Sequence, residues 1–102
     1  MNYDGKKFTR YVILLDKKIE KFPEELVRAH VEHLRRLDKK GQFVLGGPFS
    51  DYNGGMVIIK ADSFEEAKRA AEEDPFIKSG AESYHIRTVE LSCEENNHMG
   101  MG

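Results

Sequence analysis

The sequence is poor in cysteine, in charge of one sign and in long apolar runs, and each absence excludes a class of protein. Its one cysteine, Cys93, cannot form an internal disulfide, so we expect a reducing compartment and a cytoplasmic protein. The 16 basic and 18 acidic residues are mixed along the chain, which leaves no basic face for nucleic acid. No apolar run reaches the roughly 18 residues that a membrane span needs, and the N-terminus lacks the apolar centre of a signal peptide.

What is present fits a single domain. The chain has 102 residues, of which 39% are apolar, enough for one modest core. Tyr11–Leu15 and Met56–Ile59 are apolar without alternation, which is typical of strands with both faces covered. The predicted strands cover residues 8–15, 42–49, 56–61 and 82–91.

Two helices are marked by their end signals. The first is predicted over residues 22–41, with Pro23 at the first helical position and Gly41 as the left-handed residue that ends it. The second starts at the capping box of Ser63 and Glu66 and ends by Glu73, because the residue before a proline is pushed out of helical geometry. Residues 74–80 then form a turn.

The order β-α-β-β-α-β predicts an α+β, ferredoxin-like fold, with a four-stranded antiparallel sheet and two helices on one face. The folded unit spans residues 8–91, preceded by a flexible extension, 1–7, and followed by a disordered tail, 92–102. The first and third strands place apolar side chains on the second face as well. A second copy is the simplest cover for that face, so we predict a homodimer packed sheet against sheet.

Two histidines lie three residues apart in the first helix. His30 falls on the apolar stripe, whereas His33 falls at its edge and is expected to be exposed or at the boundary. The apolar residues of that stripe are Leu26, Val27, Leu34 and Leu37. A zinc site would need at least one more ligand. Only His85 and His98 remain as histidines and no cysteine pair exists, so we predict no metal and no cofactor.

Asp74 is the best partner for His30. Because the two helices run antiparallel, the end of the second lies near the start of the first, about 10 Å from His30. A carboxylate that accepts one ring N–H fixes the tautomer and leaves the other nitrogen as acid or base. The alternatives are a core histidine with a structural hydrogen bond and an Asp-Pro turn that merely ends a helix.

Four motifs in one order resemble the YCII-related (YciI-like) family. They are H-x-x-H-L-x-x-L-x-x-x-G from His30, G-G-P-F from Gly46, S-x-E-E-A from Ser63 and D-P-F-x-x-x-G from Asp74. The resemblance implies a dimeric α/β barrel built on the ferredoxin-like fold, with His30 and Asp74 as the catalytic pair.

The same motifs supply the residues that we expect to bind the substrate, which are Gly47, Pro48, Phe49, Pro75 and Phe76. The resulting hypothesis is a small enzyme that acts on a small organic acid or lactone by acid–base catalysis, without a cofactor. The reaction would be an isomerisation, an elimination or a related lyase reaction. The alternatives are a non-catalytic module that binds a small ligand in the same pocket, and a cofactor-free oxygenase. The identity of the ligand is left open.

Overall fold

A four-stranded antiparallel sheet forms the centre of the computed structural model, which describes residues 7–100. The strands are β1 (Thr9–Lys17), β2 (Phe43–Pro48), β3 (Gly54–Ile59) and β4 (Glu82–Glu90). The helices are α1 (Glu24–Lys39), α2 (Phe64–Glu72) and the short α3 (Pro75–Lys78). The order in the sheet is β2-β3-β1-β4, so β3 lies between β1 and β2. The predicted α+β, ferredoxin-like fold is confirmed.

The helix ends follow the signals in the sequence. Helix α1 begins directly after Pro23 and is followed by Gly41 at a φ of +74°. At the start of α2, the Ser63 Oγ accepts a hydrogen bond from the Glu66 backbone N–H at 3.1 Å. The expected turn after α2 is in part helical, because Asp74 caps α3 by accepting from the Phe76 N–H at 2.9 Å.

The core lies between the sheet and the helices. Alternate residues of β1, namely Tyr11, Ile13 and Leu15, are buried on the helical side. Helix α2 contacts this side through its three buried alanines, whose small size lets the helix come close to the strands. The remaining buried members of this cluster are Leu37, Val57 and Ile59.

One prediction about α1 was wrong. His33, which we expected at the boundary, is only 5% exposed, as is Leu37 one turn later. Val27, which the helical periodicity placed on the apolar stripe, is 38% exposed. The buried side of α1 is therefore rotated from the predicted stripe toward the side that carries His33.

The structure describes most of the C-terminal segment but little of the N-terminal one. Residues 1–6 and 101–102 lie outside the described residues, and with them almost all of the predicted N-terminal extension. Residues Glu94–Asn96 form a 3-10 turn, in which the Asn96 side chain donates to the Leu91 carbonyl at 2.8 Å. The disorder expected for the tail, residues 92–102, stays a prediction. None of the helices within residues 7–100 is long and apolar enough to cross a membrane.

Candidate active site

His30 and Asp74 are in direct contact. The His30 Nδ1 lies 2.9 Å from Asp74 Oδ1 and 3.0 Å from Oδ2. Asp74 is buried, with 4% of its surface exposed, and its Oδ1 also caps α3. The carboxylate is therefore held by the backbone of one helix while it accepts the ring N–H of a histidine on another. That hydrogen bond fixes the Nδ1–H tautomer of a neutral ring and leaves Nε2 unprotonated.

The imidazole of His30 is the end ring of a stack of three aromatic rings. The Phe76 ring lies parallel to that of His30, with centroids 4.0 Å apart, and parallel to that of Phe22 at 4.3 Å. Because both neighbours are so close, they must occupy opposite faces of Phe76. The same Asp-Pro-Phe segment thus supplies the carboxylate that orients the His30 ring and the aromatic face that supports it.

A cavity of about 500 Å³ opens beside this pair, between α1 and the β2–β3 hairpin. Its walls include Val27 and Val31 of α1, and its floor includes Gly46 and Gly55. A Cβ at Gly55 would lie 2.7 Å from the Gly47 carbonyl oxygen, so the two strands can approach only where this residue is glycine. The glycines leave space under α1 that side chains would otherwise fill.

A second carboxyl group lines the cavity. Glu82, the first residue of β4, is 7% exposed, and its Oε1 is buried without a hydrogen-bond partner among the described residues. Burial, together with the negative charge of Asp74, raises the pKa of Glu82 to about 6 against the opposing charges of His30 and Lys17. A buried polar atom with no partner is unusual in a native fold.

Lys17 and Tyr52 stand at the rim of the cavity. Lys17 is the Cα partner of Glu82 across the β1–β4 pair, and its Nζ lies 4.8 Å from the Phe22 ring centroid. The Tyr52 hydroxyl donates to Asp16 at 2.5 Å, and this hydrogen bond to a carboxylate raises the pKa of the phenol. The rim therefore carries one cation and one exposed phenol around an apolar interior.

His33 has a different environment from His30. It lies against the core side of α1, where burial lowers the pKa of its ring and the charge of Asp74 partly offsets the effect. Within residues 7–100 it has no side-chain hydrogen bond, and no group of three or more His, Cys, Asp or Glu side chains is arranged to hold a metal ion.

The structure brings most of the predicted site together. His30 lines the cavity and is hydrogen-bonded to Asp74. The cavity is also lined by four of the five residues that we expected to bind the substrate, namely Gly47, Pro48, Phe49 and Phe76. Pro75 does not line it and instead begins α3. The binding and catalytic roles of these residues stay predictions.

Sequence reasoning missed Glu82, Phe22 and Lys17. A signal for Glu82 was available, because period-two alternation along β4 puts it on the same face as Tyr84 and Ile86. An acidic residue on the apolar side of a strand needs an explanation. Phe22 carried no comparable signal, since its position depends on how the β1–α1 connection folds over Phe76. Lys17 is a charged residue at the end of a strand, which is ordinarily a solvated position.

Comparison with known proteins gives consistent results. The model of the YCII-related domain family matches residues 9–90. The uncharacterised protein YjpA of Bacillus subtilis (strain 168) is 39% identical over 79 residues, which cover 78% of this chain and 93% of YjpA.

One solved structure has the same fold at low sequence identity. It is 5-chloro-2-hydroxyhydroquinone dehydrochlorinase from Burkholderia phenoliruptrix AC1100, in complex with 2,5-dihydroxybenzoquinone. The TM-score is 0.59 at 24% identity, and the match covers 76% of this chain and 90% of the dehydrochlorinase chain.

Proposed function

Because the chain belongs to the YCII-related domain family, we propose that it is a small cofactor-independent enzyme in which the His30–Asp74 pair performs general acid–base chemistry. The reaction class is an isomerisation, an elimination or a related lyase reaction. The substrate class is a small organic acid or lactone with an acidic C–H bond.

One observation carries this proposal. The His30 Nδ1 is engaged by both oxygens of a buried carboxylate, while Nε2 has no partner within residues 7–100 and the ring borders an open cavity. A base held in one tautomer and one orientation can take a proton from a molecule in that cavity. Asp74 is the positioning residue, since it stabilises the imidazolium that forms.

The reaction class follows from what such a base can do alone. Removal of a proton next to a carbonyl leads to isomerisation if the proton returns to another carbon, and to elimination if a leaving group departs. The structural neighbour is named for a dehydrochlorination, which is an elimination of the second kind. We include elimination in the proposal for this chain on the strength of the free imidazole nitrogen.

The test is proton exchange and isomerisation in D₂O, followed by ¹H NMR. The panel contains the β,γ-unsaturated lactone α-angelica lactone, 4-oxopentanoate and 2,5-dihydroxybenzoquinone. We expect the wild-type protein to turn over at least one of them and H30Q to lose about 10² to 10⁴ in rate. D74N should lose rate in the same direction, because the orientation of the ring is weakened.

Controls separate this function from its alternatives. H98N changes a histidine outside the cavity and should leave the rate unchanged. If H30Q unfolds near room temperature, His30 is a core residue and the catalytic proposal fails. Saturable binding of a panel compound with no exchange by the wild-type protein would favour a ligand-binding module.

We also propose that the chain forms a homodimer through the open face of the sheet. Val12 and Leu14 of β1 alternate with the buried core residues, and their Cα partners Ile58 and Met56 continue the same face. Leu45, opposite Ile58, is 47% exposed. Together they form an apolar surface without a cover among the described residues, which is typical of an interface.

The assembly is tested by light scattering after size exclusion. We expect a dimer for the wild-type chain and a shift toward monomer for Leu45→Glu, since the new charge would be buried in the interface. Ile19→Glu places the same charge on a 37% exposed residue of the β1–α1 connection and should leave the dimer intact. A wild-type chain that elutes as a monomer at micromolar concentration would contradict this proposal.

A further inference from the structure

The buried carboxyl group of Glu82 has no role in the chemistry described so far. It begins β4 on the side of the sheet that faces the helices, where it lines the cavity together with His30. Among residues 7–100, its Oε1 is buried without a hydrogen-bond partner, and no ion pair joins the carboxyl group to Lys17 although the two Cα atoms are paired. A buried carboxyl oxygen without a protein partner is costly as part of an anion, which favours the protonated form of this group at the cavity wall.

Burial, more than the surrounding charges, favours the protonated form of this carboxyl group. Desolvation and the negative charges of Asp74 and Asp16 disfavour the carboxylate, while the charges of His30 and Lys17 act in the other direction, and the resulting pKa of Glu82 is about 6. A protonated carboxyl group is a hydrogen-bond donor, which a carboxylate is not. Below about pH 6 the cavity is therefore lined by a proton donor, Glu82, as well as by the His30 ring.

An acid is what the chemistry at His30 lacks. Removal of a proton next to a carbonyl places negative charge on the carbonyl oxygen, and an apolar cavity does not stabilise that charge without a donor aimed at it. We propose that Glu82 is a second catalytic residue, the general acid that donates its proton to the substrate carbonyl oxygen while His30 removes the proton from carbon. This inference rests on the proposed function and adds a second residue and a carbonyl substrate to it.

Every proton can be accounted for in the isomerisation of the lactone probe. His30 Nε2 takes a proton from the carbon next to the carbonyl, the electron pair forms a new double bond, and the carbonyl oxygen receives the proton of Glu82. The products of this half are a dienol, an imidazolium and a carboxylate. In the second half the dienol returns its O–H proton to Glu82 and its γ-carbon takes the proton of His30, which gives the α,β-unsaturated lactone and the original protein.

The experiment measures the isomerisation of α-angelica lactone between pH 5 and pH 8, corrected for the spontaneous rate. We expect kcat of the wild-type protein to decline as pH rises through about 6, because the acid form of Glu82 is lost. E82Q should reduce kcat by roughly 10- to 100-fold. Complete removal of the donor would reduce kcat more, because the amide N–H of glutamine can still donate a hydrogen bond. The decline above pH 6 should disappear in this variant.

A matched control is available on the same strand. Glu90 lies at the far end of β4, where its carboxylate accepts a hydrogen bond from the Thr9 hydroxyl at 2.9 Å, and E90Q should keep the kcat and the pH profile of the wild-type chain. A merely structural Glu82 would change the melting temperature but not the profile.

Three results would overturn the assignment by different routes. If E82Q isomerises the lactone with the kcat and pH profile of the wild-type protein, Glu82 is not the acid and the role of His30 stands. If the wild-type protein acts on no member of the panel, the proposed function fails and the role of Glu82 fails with it. The carboxyl-carbon NMR signal of Glu82 is identified by its absence from the spectrum of E82Q. If this signal titrates with a pKa near the ordinary 4.5 in the wild type, Glu82 is not the general acid.

Discussion

The two halves of the helical layer are packed in opposite ways. On one side, which we call the closed layer, the buried alanines of α2 and Leu37 of α1 rest directly on the strands. On the other side the N-terminal half of α1 stands over the glycines of β2 and β3, and the cavity of about 500 Å³ remains. The helix α1 takes part in both. The size of the facing side chains, rather than the fold, thus decides where this domain is solid and where it is hollow.

The strongest test of this contrast is a matched pair of truncations on α1. Leu37→Ala removes a buried side chain from the closed layer and should lower the free energy of unfolding by about 2–5 kcal/mol. Val31→Ala removes a side chain that is 36% exposed at the cavity wall, and should change the free energy of unfolding by no more than about 0.5 kcal/mol. Urea unfolding of both variants measures the difference. Equal losses would show that the cavity is closed in solution.

The second test concerns the charge inside the cavity. The pKa of Glu82 is raised from 4.5 to about 6 in the folded chain, so its contribution to stability is complete below pH 4.5 and is lost as pH rises through 6. This difference between the ordinary pKa and the pKa in the folded chain corresponds to about 2 kcal/mol of stability. The free energy of unfolding of the wild-type chain should therefore fall by that amount between pH 4 and pH 8 relative to E82Q.

E90Q is the control for this measurement, because it removes a carboxylate of the same strand outside the cavity. Thermal or urea unfolding at several pH values gives the comparison. Parallel pH profiles for the wild type and E82Q would mean that Glu82 is solvated and that its carboxyl is no special feature of the site.

Most of the closed layer and of the fold could be predicted from the sequence. Apolar strands, a proline before α1, a glycine after it and the Ser63 cap are local signals that the tertiary structure obeys. The pairing of His30 with Asp74 was predicted for a related reason, since it needs only the antiparallel course of the two helices. These inferences depend on chain direction and local periodicity, which neighbouring segments do not alter.

The cavity could not be predicted in the same way. Whether α1 turns His33 or Val27 toward the core depends on where α2 and α3 meet it, and the broad apolar stripe allows both. The buried state of Glu82 depends on β4 starting beneath the Asp-Pro-Phe segment. The stacking of Phe22 on Phe76 depends on a connection with no regular structure. Features set by packing between distant segments leave weak traces in a single sequence.

The third test concerns the aromatic wall of the cavity. Phe22→Leu keeps an apolar side chain but removes one of the two stacked pairs around Phe76, and should cost about 0.5–1.5 kcal/mol. Phe49→Leu, which removes only a T-shaped contact of 6.3 Å with Tyr52 from a 36% exposed ring, should cost less. Chemical unfolding ranks the two. A larger loss for Phe49→Leu would place the main aromatic support of the cavity on the β2–β3 side.

The last and smallest effect concerns His33, which lies on the side of α1 that faces the closed layer. Burial lowers the pKa of His33, so its neutral ring suits the fold, and its contribution to stability is present above pH 6.5 and is lost as pH falls through the lowered value. His33→Gln should therefore lose less of its melting temperature than the wild type when the pH is lowered from 7 to 5. The exposed His98, replaced by Asn, should reproduce the wild-type slope. If His33→Gln and His98→Asn give the same slope, the His33 side of α1 is open to water, and the rotation of this helix toward the closed layer is incorrect.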